Sequence, residues 1–185
     1  VVPATKPEVI ERLKWHGIRM QELVRSEVLP VSMYRLVNPR ADSTPYEGRH
    51  RATTDVAVEE HKQTFPAGSV RVPTDQPLGD LAVVMLEPQS DDSLFAWGHF
   101  AEVLQRTEYI EGYVIAPMAE RMLADDARLK AEFEAKLNAD PAFAADRAAR
   151  LRWFYKRSKY YDERHLLYPV GIEYSSSQNA LLGKT

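Results

Sequence analysis

The sequence predicts an α/β fold, with a small mixed β-sheet in the N-terminal part and a helix-rich C-terminal part. Two patterns support this prediction. Between residues 28 and 74, short runs of partly alternating apolar and polar residues are separated by Pro, Gly and Asn, as in β-strands. From residue 77 onward, apolar residues recur every three or four positions, as on the buried face of a helix. The content of 44% hydrophobic and 28% charged residues is typical of a globular protein.

We expect one α/β domain over residues 1–174, since a chain of 185 residues suits one domain or two small ones. Residues 1–76 are predicted to be mainly strands plus one helix, and residues 77–174 mainly helices. The polar tail, residues 175–185, is expected to be flexible. The chain starts with Val rather than Met, and residues 1–4 resemble the end of a strand. We therefore expect a piece of a longer protein.

The first helix is predicted from residues 5–8, Thr-Lys-Pro-Glu, which have the form of a capping box with a proline in the first turn. Val9 and Leu13 follow at helical spacing, and Gly17 lies where helices commonly end in a left-handed residue. Residues 18–23 then alternate in part, as a strand does. A strand, a helix and a strand joined by short connections are typical of a βαβ-like unit.

Residues 31–37 form the clearest predicted strand of the sheet. Further extended stretches are predicted around residues 46–49 and 56–58. Residues 64–69, Thr-Phe-Pro-Ala-Gly-Ser, have the composition of a turn. The sequence therefore predicts a hairpin there, with residues 70–72 as the returning strand.

The C-terminal part is predicted to contain several helices. An apolar stripe from Leu78 to Met85 ends at Pro88. Residues 91–93, Asp-Asp-Ser, offer capping oxygens for a helix in which Trp97 and Leu104 share a face. Later helices are predicted from the spacing of apolar residues, namely Met118 and Met122; Leu129, Phe133 and Leu137; and Leu151, Phe154 and Tyr155.

Composition excludes several classes of function. The chain has no cysteine, so disulfides, thiolate zinc sites and a cysteine nucleophile are excluded. The net charge of −3 does not favour nucleic acid as a partner. No run approaches the roughly 18 apolar residues that a membrane span needs. Gly-rich phosphate loops and the Gly-x-Ser-x-Gly motif of hydrolases are also missing.

His99 and Glu102 are the candidate metal ligands, because a His-x-x-Glu pair on a helix would point both side chains the same way. Zinc carboxypeptidases use such a pair together with a distant third His, a catalytic Glu and an Arg. Here the only later histidine is His165, and no residue is marked as the base. The alternative is a pair on the helix surface or at an interface. Glu59 and His61, on a predicted strand, are expected to be solvated rather than catalytic.

Trp153, Tyr160 and Tyr161 are candidate ligand-binding residues in a segment that mixes basic and aromatic side chains. Aromatic rings next to basic groups could bind nucleic acid, or could recognise a peptide or cell-wall ligand if they are exposed. The competing interpretation is intramolecular: Leu151 and Phe154 lie at helical spacing and indicate a core stripe with charges along its rim.

Residues 64–77, Thr-Phe-Pro-Ala-Gly-Ser-Val-Arg-Val-Pro-Thr-Asp-Gln-Pro, resemble a region of large bacterial proteins related to the carboxypeptidase A-like zinc metallocarboxypeptidases. That region follows the peptidase domain and carries a Phe/Tyr-Pro-Ala-Gly-Ser hairpin and a Val-Pro-x-x-Gln-Pro helix start. Further similar segments occur in the same order, from the opening strand to the end of the helical part: Leu13-x-x-His16-Gly17-Ile18, Leu86-Glu87-Pro88, Glu108-Tyr109-Ile110-Glu111 and Tyr168-Pro169-Val170-Gly171.

The resemblance implies an exported zinc carboxypeptidase-like hydrolase as the parent protein, with this chain as its C-terminal, non-catalytic α/β portion. The implied zinc belongs to a peptidase domain upstream in the same chain. That peptidase domain is also the implied partner of this region. No zinc ligand, base or carboxylate-binding arginine of the family can be placed on a residue of this sequence. A second copy of the chain is left open as a further partner.

Three hypotheses for the function follow. The first is an accessory domain that packs against a peptidase domain and shapes substrate access or assembly. The second is a module that binds a peptide or cell-wall ligand through exposed aromatic residues. The third is a metal-dependent enzyme, which needs His99, Glu102 and another ligand within about 2.0–2.2 Å of one ion.

Overall fold

A long antiparallel ribbon forms much of the sheet structure in the computed structural model, which describes residues 1–105 and 111–174. Strand β2 (Glu27–Ala41) pairs along its length with β3 (Ala52–Phe65). The register shifts between Val37 and Arg40, around Asn38, whose φ is 48°. The predicted strands at residues 31–37 and 56–58 are confirmed as parts of this ribbon.

The segment that follows the helices returns to the free edge of β2. The backbones of Ser32 and Ile172 exchange two hydrogen bonds, of 3.0 and 2.8 Å. Nearby, the Tyr168 amide donates to the Tyr34 carbonyl oxygen over 2.8 Å. The last described residues therefore belong to the same folded unit as the first ones.

Helix α1 (Pro7–Trp15) forms where the apolar spacing predicts it, but its start differs from the prediction. The N-cap residue is Lys6, and no side chain caps the helix, so the predicted capping box is wrong. Proline in the first turn, whose missing N–H would have no helical acceptor there, sets the start instead. Gly17 has φ +78°, which confirms the predicted left-handed end of the helix.

The predicted βαβ-like order is present, with an extra strand between its two strands. Strand β1 (Gln21–Glu22) pairs antiparallel with β4 (Val70–Arg71), and Val2 also forms an antiparallel bridge to Val70. Val2 and β1 therefore run in the same direction, but β4 lies between them. The predicted unit is accordingly split, because a later segment of the chain takes the central position.

The predicted hairpin over residues 64–72 is wrong in its pairing. The turn itself forms, with Gly68 at φ +85°. However, β4 pairs with β1 and Val2, whereas β3 is already paired with β2. The buried Ser69 holds this redirected turn, since its hydroxyl accepts from the Ala4 amide and donates to the Pro66 carbonyl oxygen.

Helix α2 (Gly79–Leu86) confirms the predicted stripe that ends before Pro88. The helix predicted after residues 91–93 is wrong: this stretch forms turns and a short 3-10 helix, Ala101–Leu104. Ser93 does cap a turn, because its hydroxyl accepts from the Ala96 amide. Gly98, at φ +83°, interrupts the segment, and the neighbouring apolar side chains are buried without helical periodicity.

The second group of helices follows the predicted spacing closely. Asp126, Asp140 and Asp146 each cap the helix that follows, because their carboxylates accept from first-turn amides. The packed interior contains Phe133, which lies against Phe154 at a ring-centroid distance of 4.6 Å. The helices in this group are α3 (Gly112–Asp125), α4 (Ala127–Ala139), α5 (Pro141–Ala145) and α6 (Arg147–Tyr155).

The described residues form two compact units with separate cores. The first unit comprises residues 1–105 and 164–174, and the second comprises residues 111–163. The content of helix and strand confirms the predicted mixed α/β class, while the assignment of residues 1–174 to one domain stays a prediction. The tail at residues 175–185 lies outside the described residues. Among the described helices, none has both the length and the apolar character required to cross a bilayer.

Candidate functional site

The main candidate site is a cavity of about 700 Å³ in the first unit. Its volume lies within the range of roughly 300–1,000 Å³ that is typical of small-ligand sites. The walls come from α2, from the ribbon and from the two extended segments around β4 and residues 168–173. The lining includes Gln21, Tyr34, Arg71, Val72, Thr74, Asp75, Ala82, Leu86, Glu87, Tyr168, Val170 and Glu173.

One wall of the cavity is apolar and fixed in place. Ala82 and Leu86 lie on α2, which presents apolar side chains because its sequence is almost entirely aliphatic. Tyr168 is completely buried beside them, and its hydroxyl donates to the Leu86 carbonyl oxygen over 3.0 Å. Burial also raises the pKa of Tyr168 far above its usual range, so this phenol stays neutral.

A tyrosine–glutamate pair lies at the polar side of this wall. The Tyr34 hydroxyl donates to Glu87 Oε2 over 3.1 Å. Desolvation, followed by the neighbouring Glu87 carboxylate, raises the pKa of Tyr34 to about 12. Burial also raises the pKa of Glu87, although the hydrogen bond from Tyr34 opposes that shift. Glu87 is the residue directly after α2, so the end of the helix positions its carboxylate at the cavity.

Arg71, on β4, is held between two carboxylates at another part of the cavity wall. Its Nε donates to Glu173 Oε2 and its Nη2 donates to Glu27 Oε2, both over 2.9 Å. These hydrogen bonds raise the pKa of the guanidinium further, with Glu173 as the larger contributor. The positive charge of Arg71 is therefore already compensated within the chain.

The candidate metal ligands His99 and Glu102 are engaged with different partners. His99 lies in a turn, and its Nδ1 is 3.5 Å from Glu8 Oε2. Glu102 lies in the short 3-10 helix and contacts the Lys6 ammonium. Burial, followed by the charges of two arginines, lowers the pKa of His99. The helical geometry expected for this pair is not formed, and no set of three or more His, Asp or Glu side chains within residues 1–105 and 111–174 could hold a metal.

Glu59 and His61, expected to be solvated, form a charged cluster on the ribbon. Arg35 donates to both Glu59 oxygens, over 2.9 and 2.8 Å, and His61 Nε2 lies 3.0 Å from Glu59 Oε2. The hydrogen bonds from Arg35 are the main reason that the pKa of Glu59 falls to about 2. The cluster links β2 to β3 and is only half-buried, which indicates a structural role for its three side chains.

The three aromatic candidates differ in how exposed their side chains are. Trp153 is only 7% exposed and packs against Phe133 and Phe154 in the core of the second unit, so the exposed aromatic surface expected there does not include it. Tyr160 is 51% exposed. Tyr161 is half-buried and packs edge-to-face on Tyr155.

The cavity was not predicted, although three segments quoted for the family resemblance contribute to it, the first being residues 64–77 with Arg71 and Asp75. Leu86-Glu87-Pro88 supplies the Glu87 carboxylate, and residues 168–171 supply part of the apolar wall. The available signal was an acidic residue placed directly after an aliphatic helix. That signal is weak alone, because a cavity depends on which distant segments fold against the helix.

Comparison with known proteins identifies fungal relatives for about half of the chain. "Carboxypeptidase 2" from Trichophyton tonsurans is 33% identical over 98 residues, which cover 53% of this chain and 18% of that protein. "Carboxypeptidase 2" from Trichophyton rubrum is 32% identical over the same length, and "Probable carboxypeptidase 2" from Arthroderma benhamiae is 32% identical over 94 residues.

No family model and no solved structure matches the chain. These relatives are fungal, so they do not support the bacterial origin that the family resemblance implies. They do support the likeness to carboxypeptidases. The chain is therefore similar, over half of its length, to less than a fifth of each of these carboxypeptidases.

Proposed function

We propose that this chain is a non-catalytic accessory region of a larger carboxypeptidase, where it packs against the peptidase domain and shapes substrate access or assembly. The observation that carries the proposal is the extent of the similarity. The matching 98 residues make up only 18% of the Trichophyton tonsurans protein, so most of that carboxypeptidase lies outside the similarity.

The arrangement of charged side chains supports a scaffold rather than a catalytic site. His99 faces Glu8, and Glu102 contacts Lys6, so each candidate ligand already has a partner within the chain. A zinc ion, by family resemblance, would be held by the peptidase domain and not by these residues. The same resemblance leads us to propose export from the cell and leaves assembly with a second copy open.

The first experiment tests the chain itself. The purified chain, with its folding checked by circular dichroism, is titrated with ZnCl₂ and assayed on peptides for release of the C-terminal residue. We expect no stoichiometric zinc binding and no hydrolysis, and the double variant His99→Ala/Glu102→Ala should behave identically. Tight zinc binding that disappears in the double variant would refute the proposal and favour a metal-dependent enzyme.

A second experiment uses a full-length relative of this chain. Carboxypeptidase 2 of Trichophyton tonsurans is prepared with and without the matching segment, and its hydrolysis of short and long peptides is compared. We expect the truncated enzyme to keep hydrolysis of the shortest substrates, with altered stability or altered preference for longer ones. Complete loss of hydrolysis in a truncated enzyme that remains folded would contradict a non-catalytic role.

A further inference from the structure

We propose that the cavity beside Tyr34 and Glu87 binds the basic side chain of a peptide, a lysine or an arginine, with the cationic group against Glu87 and the aliphatic stem along α2. This inference does not rest on the carboxypeptidase proposal. It follows from the charge balance of the cavity, the position of Glu87 and the apolar wall next to it.

The cavity has more negative than positive side chains. Asp75, Glu87 and Glu173 all line it, whereas Arg71 is the one cationic side chain among the described lining residues. Because Arg71 is bound by Glu173 and by Glu27, it offers little positive charge to a ligand. Val1 also lines the cavity, and its nitrogen already donates to the Gly171 carbonyl oxygen.

Glu87 is placed to attract a cation. Within the described part of the chain, no Lys, Arg or His side chain forms an ion pair with it, and its hydrogen-bond partners, the Tyr34 hydroxyl and the Gln89 backbone amide, are both neutral. It follows the last turn of α2, where the partial negative charge of the helix end favours positive groups. A half-buried carboxylate without a counter-charge is poorly solvated, so a cationic ligand would restore interactions that burial removes.

The apolar wall distinguishes a lysine or arginine side chain from a metal ion or a free ammonium ion. Both side chains carry three or four methylene groups, which pack well against apolar surfaces while the charged end finds a polar partner. Ala82, Leu86 and Val170 provide such a surface in the same cavity as Glu87. The volume of about 700 Å³ also leaves room for residues on either side of the basic one. An acidic side chain would face the carboxylates of Asp75 and Glu87 and is disfavoured.

The test compares three capped tripeptides at pH 7.5 and low salt: Ala-Lys-Ala, its norleucine counterpart Ala-Nle-Ala, and Ala-Glu-Ala. Binding to the ¹⁵N-labelled chain is followed by amide chemical-shift changes. We expect the lysine peptide to bind about tenfold or more tightly than the norleucine peptide, since a charge-assisted hydrogen bond is lost in the latter. The shifts should map to α2 and to residues 168–173, and the glutamate peptide should not bind.

Glu87→Gln keeps the size of the side chain and should abolish the preference for lysine, whereas Glu134→Gln, on the exposed surface of α4, should leave it unchanged. Should Glu87→Gln fail to fold, the lysine–norleucine comparison on the unaltered protein still decides the matter. Equal affinities of these two peptides, shifts that map outside the cavity, or no binding by any peptide would each overturn the proposal. An unchanged lysine preference in folded Glu87→Gln would do so as well.

Discussion

Replacing Gly171 by alanine tests how the last described segment docks on the ribbon. A Cβ atom at Gly171 would lie 2.7 Å from Phe65 Cζ, 3.1 Å from Val31 Cγ1 and 3.2 Å from Val31 Cβ. Ordinary contacts between carbon atoms are about 3.5–4.0 Å, so the new methyl group overlaps all three atoms. The obstacle is steric, because glycine at this position does not adopt a positive φ.

The neighbours of Gly171 have little freedom to move aside. Phe65 is 1% exposed and Val31 is 2% exposed, and both side chains rise from the paired strands of the ribbon. Adding a methyl group to a well-packed core typically costs about 1–3 kcal/mol. We therefore expect Gly171→Ala to lower the free energy of unfolding by about 2 kcal/mol. With a denaturant dependence of about 1–3 kcal/mol per molar urea, the midpoint should fall by about 1 M.

The assay is urea unfolding followed by circular dichroism, combined with hydrogen exchange measured by mass spectrometry. Hydrogen exchange reports each segment separately, so faster exchange should be confined to β2, β3 and residues 164–174. Gly112→Ala is the control, because its Cβ would find its nearest atom at an ordinary 3.9 Å. Since alanine restricts the unfolded chain, that variant should be neutral or slightly stabilised.

A double-mutant cycle identifies the cause of the loss. Phe65→Leu removes the closest obstacle, so its combination with Gly171→Ala should be more stable than the sum of the two single effects predicts, by about 1 kcal/mol. A Gly171→Ala protein that unfolds at the same urea concentration as Gly112→Ala, or an additive cycle, would refute the steric argument.

Two further predictions concern individual carboxylates. The pKa of Glu59 is about 2 in the folded protein because Arg35 binds the ionised form, so its stabilising contribution is present above its unfolded pKa near 4.5 and is lost as the pH falls toward 2. After allowance for solvent screening, the unfolding free energies of the native protein and Glu59→Gln should differ by about 1 kcal/mol at pH 7 and converge near pH 2. Denaturation measured across this pH range tests this expectation, and a difference that stays constant would contradict it. Asp126→Ala should lower the free energy of unfolding by about 1 kcal/mol, because the Asp126 carboxylate accepts from the first amides of α4. The control Asp125→Ala should lower it far less. Thermal unfolding of the two variants measures the difference, and equal losses of stability would exclude a capping role.

The helices of the second unit were predictable because their signals are local. Leu129, Phe133 and Leu137 recur at the spacing of one turn, and aspartates at the helix starts satisfy amides only two or three residues away. The stripe of α2 and the left-handed Gly17 follow the same logic. In each case the interacting groups lie within one or two turns of the chain, so the sequence alone contains both partners.

The pairing of strands and the chemistry of the side chains depended on the tertiary structure. Whether Val70 pairs with β3 or with Val2 and β1 is decided by segments dozens of residues apart. The partners of His99 and Glu102 come from the first helix and the residue before it. Periodicity shows which face of a segment is buried but not what covers it, and the cavity at Glu87 exists only because distant segments meet there.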